Sequence, residues 1–254
     1  MTSIATTRLG SRAGTLANAS ASAASLVAPV SAAHFTQITG VTPSGLYLCR
    51  DAATQLSEAS GGTALAALGS PVYQSVVGDR LGTYYPSGAA HVADVYALGA
   101  ASWWYVGVID MDQPASNMFF VGRANLFSVN GAWIYRQGTA GWSLLVRDSG
   151  GTQMFVQSTL EASQGTWLAQ LQVDRTAGVA RARLSRFGGP ADQVSGSIAG
   201  FLTLDTVGQN YGAGNLAGGA AHHGAKAGLL AAATGAQVEG ANFLASMARA
   251  LGAE

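Results

Sequence analysis

The chain is 254 residues long, 48% hydrophobic and only 10% charged, with no formal net charge. This length suits one all-β sandwich as a single unit and allows a sizeable buried core. Zero net charge argues against a basic footprint for nucleic acid. No run reaches the roughly 18 apolar residues of a membrane-spanning helix. The single cysteine, Cys49, rules out an internal disulfide, a four-cysteine zinc site and a redox cysteine pair. Low charge with 34 glycines implies a surface of small polar residues, as in a subunit locked into an assembly. A GC-rich genome gives the same composition, and having Lys226 as the one lysine fits both explanations.

Residues 1–40 are rich in Ala, Ser and Thr, and Phe35 is their one aromatic. They read as an arm that is disordered alone and held by neighbouring subunits, or as an extra strand of the same domain. Arg8 and Arg12 precede an Ala-rich stretch broken by Asn18, Ser20, Ser22 and Ser25, so no signal peptide is expected.

From Gly45 the apolar period becomes two. Gly45 to Asp51 reads as a strand containing Cys49 as a small core residue, followed by a polar loop. Thr63 to Leu68 is a short apolar run. Pro71 to Val77, Gly82 to Pro86 and His91 to Leu98 read as strands, with a turn at Asp79-Arg80. Ala101 to Asp110 is the strongest strand signal. It is apolar on both faces, as a central sandwich strand should be. Asn117 to Gly122, Leu126 to Val129 and Ala132 to Arg136 follow, with Asn130-Gly131 as a hairpin turn. Gly141 to Arg147 and Thr152 to Ser158 pair around Asp148-Ser-Gly-Gly151.

Thr166 to Asp174 puts Trp167, Ala169, Leu171 and Val173 on one face, and Gln170, Gln172 and Asp174 on the other. Asp174 to Gly178 turns the chain into Val179 to Leu184. There Arg181 and Arg183, with Arg186 nearby, read as a solvated strand face. Asp192 to Ile198 and Leu202 to Val207 are weaker strands, Asn210 to Ala225 is Gly-rich and irregular, and Lys226 to Ala232 is a last apolar run. Phe243, Leu244, Met247 and Leu251 then have helical spacing. This predicts a helix from 235 or 236 to 251, capped by Thr234 with Gln237 and ended by Gly252.

The order of these segments resembles the laminin-G-like branch of the concanavalin A-like lectin/glucanase superfamily. Gly45 to Asp51 resembles its opening strand, Trp103 to Asp110 its central strand, and Gly165 to Asp174 the strand before its D-x-x-x-G hairpin. Val179 to Leu184 is similar to the return strand. Ala236 to Leu251 is similar to the short helix ending such domains in phage and phage-like virion proteins. The likeness spans about 41 to 252. It implies an all-β, antiparallel jelly-roll β-sandwich over 41–232, an N-terminal extended arm over 1–40, and a short C-terminal α-helix within 233–254 packed on the sandwich. It also implies a function of glycan binding, glycan hydrolysis, or decoration and attachment on a virion.

Hydrolysis needs two carboxyl groups flanking the bond. The glucanase branch carries them as Glu-x-Asp-x-x-Glu. The nearest match here, Asp110-Met-Asp112, lacks both glutamates and runs into Pro114. There is no Gly-x-Ser-x-Gly elbow and no Walker loop. The sequence therefore calls for no catalytic residue and no cofactor. A calcium ion on Asp110 and Asp112, with Asn117, is the one metal candidate. Its bland counterpart is a solvated acidic pair. His222-His223 reads as an exposed loop pair.

Sugar rings stack on aromatic faces, so the glycan-binding candidates are Tyr84, Tyr85, Trp103, Tyr105, Trp133, Tyr135, Trp142 and Tyr211. Several of them must instead fill the core of a sandwich. The leading expectation is a non-enzymatic virion-surface or appendage protein, a homo-oligomer assembled with other virion subunits through residues 1–40. It would attach to host-surface glycan, without nucleic-acid binding or membrane insertion, and gain strength by avidity. A purely structural decoration or cement protein is the alternative, and a glycan hydrolase the third reading.

Overall fold

The computed structural model describes residues 33, 36–37, 40–43, 45–48, 66–77, 80–86, 89–93, 101–111, 118–123, 130–136, 141–161, 163, 165–204, 211–214, 225–234, 240 and 242–250. The arm expected over 1–40, Cys49, Asp112, the strand expected at 126–129 and the His222-His223 pair lie outside these residues or almost entirely so.

The described strands are β1 (Gly45–Leu48), β2 (Ala66–Leu68), β3 (Val72–Val77), β4 (Arg80–Tyr84), β5 (Ala90–Ala93), β6 (Trp103–Met111), β7 (Met118–Arg123), β8 (Gly131–Arg136), β9 (Trp142–Arg147), β10 (Gln153–Gln157), β11 (Gly165–Asp174), β12 (Val179–Arg186), β13 (Ala191–Ser197), β14 (Tyr211–Gly214) and β15 (Ala225–Thr234). One helix, α1 (Phe243–Ala250), follows. They form two antiparallel sheets. One runs β13-β12-β11-β6-β15-β4-β3, with β1 also paired to β15; the other runs β10-β9-β8-β7-β14-β5-β2. The fold is an all-β sandwich with one short C-terminal helix.

Between the sheets lies a core that includes Tyr85, Trp103, Tyr105, Ile109, Trp142, Leu144, Val146, Trp167, Leu171, Val173 and Leu184. The two-residue period of β6, β9, β11 and β12 delivers these side chains to one face. At the β10 and β13 end the sheets come close enough that a Cβ on Gly196 would overlap the Met154 side chain.

The first sheet is covered on its other face too. Gln170 and Gln172 are buried, and their amides donate to the carbonyls of Leu244 and Gly240 at 2.9 and 3.3 Å. Trp104 meets Phe243 at a ring-centroid distance of 5.9 Å. The expected solvated arginine face is thus corrected. Arg181 is buried and paired with Asp174 because the terminal segment lies over that face.

Three other expectations change. Thr234 ends β15, and α1 begins at Phe243, after the bend at Gly240; residues 235–239, where the helix was expected to start, lie outside the described residues. Of the strand expected over Leu202 to Val207, the described part, Leu202 to Leu204, is a loop tied to the β9–β10 turn, and 205–207 lie outside the described residues. Within the Gly-rich stretch, Tyr211–Gly214 forms β14 between β7 and β5. Two glycines in that short strand hid it from an apolar-period reading.

Candidate functional site

The sequence-predicted aromatic residues do not converge on one surface. Tyr85, Trp103, Tyr105 and Trp142 belong to the inter-sheet core. Trp133 and Tyr135 lie on the opposite face of β8, and both are buried. These six rings are therefore corrected from sugar-stacking candidates to buried side chains. Four of them, Tyr85, Trp103, Tyr105 and Trp142, fill the space between the sheets, which needs large side chains. Tyr84, on β4, is half-buried. Tyr211 pairs with Ala93 and Arg123 in β14, and Asp110 pairs with Thr166 and Lys226 in β6. The described residues hold no group of three metal-ligating side chains.

The outer face of β8, β9 and β10 contains a ring that the sequence reading missed. Phe155 is 50% exposed. In β10, Met154 and Val156 pack on the core, so Gln153, Phe155 and Gln157 take the outer face. Cross-strand register runs Phe155–Leu145–Trp133 in one row and Gln157–Ser143–Tyr135 in the next. The Tyr135 and Phe155 rings sit 6.5 Å apart and tilted by 55°. Burial pushes the Tyr135 phenol above its ordinary pKa, so it stays a neutral donor. Gln153 and Gln157, both exposed, flank the Phe155 ring with amides that can donate and accept. In register, the Trp133 row continues to Gly122 on β7 and Gly212 on β14.

One loop beside this face is held rigid by a carboxylate. Asp148 accepts the N–H groups of Gly150 (2.9 Å), Thr152 (2.8 Å) and Leu202 (2.9 Å). Burial alone would raise its pKa, but the N–H groups of Leu202, Thr152 and Gly150, with the Thr152 side chain, hold it below the ordinary value. Arg175 donates to the Leu202 carbonyl at 2.8 Å. The exposed Leu202 side chain is therefore carried on a backbone bonded on both sides.

Four carboxylates, Asp148, Glu161, Asp174 and Asp192, are engaged in structure. Asp192 accepts from Ser158 Oγ at 2.5 Å, and Glu161 accepts from Arg136 at 3.0 Å. Asp148 and Asp174 are both shifted downward. A general acid for glycoside cleavage needs the opposite shift.

The signal for Phe155 was present in Gln153-Met-Phe-Val-Gln157. One aromatic occupies the polar face of an alternating strand, where a core ring would not sit.

No family model matches the chain, and no curated protein matches it in sequence. Solved structures do match in fold. The binding domain of Paraclostridial Mosquitocidal Protein 1 is similar over 84% of this chain and 52% of its own length, at TM-score 0.58 and 10% identity. The binding domain of botulinum neurotoxin DC in complex with SialylT is similar over 82% of this chain and 52% of its own, at TM-score 0.53 and 8% identity. This chain spans about half the length of these toxin domains. Domain 4 of AbnA, a GH43 extracellular arabinanase from Geobacillus stearothermophilus in complex with arabinotriose, is covered over its full length by 82% of this chain, at TM-score 0.52 and 10% identity. What the chain shares with these proteins is the antiparallel β-sandwich.

Proposed function

We propose that this chain is a non-enzymatic, lectin-like domain that binds glycan at the exposed ring and amides on the outer face of β10. The half-exposed Phe155 ring beside Tyr135, between the amides of Gln153 and Gln157, carries this reading. A pyranose offers an apolar C–H face to such a ring and hydroxyls to the amides. The arabinotriose complex of a similar fold supports the assignment.

The setting we propose is a particle surface or appendage, with residues 1–40 anchoring the chain to neighbouring subunits. The composition of those residues and the low overall charge support it. Each site would bind weakly and the assembly strongly. A glycan array probed with the assembled chain and with Phe155→Ala tests the binding. Oligomeric state with and without residues 1–40 tests the anchoring, and a monomer in both cases removes it.

A purely structural decoration protein is the second reading. The burial of six of the eight sequence-predicted rings favours it, and uniform silence on the array would establish it over the first.

A further inference from the structure

We propose that β10 is a homodimerisation edge, on which a second copy of this chain adds its own β10 antiparallel, with Phe155 on the two-fold axis. This does not rest on glycan binding. Edge strands expose unpaired N–H and C=O groups and are normally blunted by shortness, charge, proline or a bulge. The other ends of the two strand paths carry such devices, and β1, which pairs with β15 alone, has only four residues. β2 has three residues; β3 follows Pro71 and is bulged between Val72 and Ser75; β13 carries Asp192. β10 has none of these: Gln-Met-Phe-Val-Gln is uncharged, proline-free and regularly paired to β9. Among the described residues no strand lies on its open side.

The backbone phase fixes which groups are offered. Ser158 N–H donates to the Trp142 carbonyl at 2.8 Å, and Asp148 N–H to the Thr152 carbonyl at 3.0 Å. Positions 152, 154, 156 and 158 therefore bond to β9. Gln153, Phe155 and Gln157 turn their N–H and C=O groups to the open side. Antiparallel pairing centred on Phe155 uses all of them. Phe155 faces Phe155 of the second copy, and Gln153 faces its Gln157. That is about six inter-chain hydrogen bonds, two for each of three facing pairs.

Side chains match under the same two-fold. Ring faces ring, amide faces amide, and Met154 faces Val156, so the strand is self-complementary as an isologous interface requires. This self-match selects a second copy as the occupant. Pairing would join the two seven-stranded sheets and leave both Phe155 rings on one outer face.

Analytical ultracentrifugation of the full chain provides the test. The parent should be a dimer. Gln157→Pro, which removes an outward N–H and no bond to β9, should weaken dimerisation at least tenfold while leaving the circular dichroism spectrum unchanged. Phe155→Cys should cross-link as a disulfide dimer on mild oxidation, with the parent and its Cys49 as blank. Gln153→Cys alone should not, because it faces Gln157 of the second copy. A monomeric parent, association that survives Gln157→Pro, or equal cross-linking of the two cysteine variants would overturn the proposal. Association through residues 1–40 would survive Gln157→Pro and is distinguished in that way.

Discussion

Arg181 Nη1 lies 3.2 Å from Asp174 Oδ2, and that same oxygen accepts the Gly240 N–H at 3.3 Å. The carboxylate thus joins β11, β12 and the segment leading into α1. Its other oxygen accepts the Ala177 N–H at 2.9 Å and shapes the β11–β12 turn.

Replacing Asp174 with Ala should therefore act on two elements together. It strands a buried guanidinium and releases the turn, at a cost of about 3 kcal/mol. Urea unfolding measures that loss. Amide exchange should show α1 losing protection before the inter-sheet core. Equal loss throughout would mean that Asp174 does not dock the terminal segment.

Acid should destabilise the fold through the same group and through Asp148. For Asp174, burial raises the pKa, but the N–H groups of Ala177 and Gly240 and the charge of Arg181 outweigh it. Asp148 is likewise held down. Both carboxyls titrate lower in the folded chain than in the unfolded one. Their stabilisation is complete above the ordinary value of about 4 and is lost as pH falls through the lower folded value. Stability measured from pH 7 to pH 2 should decline mainly below about pH 4. The double variant Asp148→Asn, Asp174→Asn should be less stable at pH 7 and show a shallower acid slope. An unchanged slope would contradict this.

Gly141 is required by a close backbone approach. A Cβ there would lie 2.1 Å from the Ser158 carbonyl oxygen, at the point where Ser158 N–H bonds Trp142. Gly141→Ala should cost about 1–3 kcal/mol because backbone, rather than a flexible side chain, must move. Thermal denaturation reads this directly, and a neutral result would show that the β9–β10 end is loosely packed.

All five tryptophans are fully buried. Their emission should be blue-shifted, poorly quenched by acrylamide and unchanged by any bound saccharide. A ligand-induced change in tryptophan emission would return Trp103, Trp133 or Trp142 to the binding site.

The two-residue period made β6, β9, β11 and β12 legible in the sequence, and the Asp174–Gly178 turn was visible as turn chemistry. Gly178 adopts the positive φ that such a turn needs. The period did not reveal that the Gln170, Gln172 and Arg181 face is covered. Polar side chains that bond the backbone of a docking segment look the same in sequence as solvated ones. The aromatic residues carry the same ambiguity: in sequence a tryptophan or tyrosine suits a sugar ring and a buried position equally, and six of the eight candidates are buried. The ring left half-exposed is a phenylalanine whose polar neighbours at 153 and 157 mark its face as the outer one.

The most direct measurement is a titration of the full chain with the glycan that gives the strongest array signal, repeated with Phe155→Ala. Phe155 is half-exposed, so the variant should keep the parent's thermal midpoint to within a few degrees. The expected result is binding by the parent and at least a tenfold weaker affinity in the variant, or about 1.4 kcal/mol. A parent that binds no glycan, or a variant that binds as tightly as the parent, would contradict the assignment of the outer face of β10.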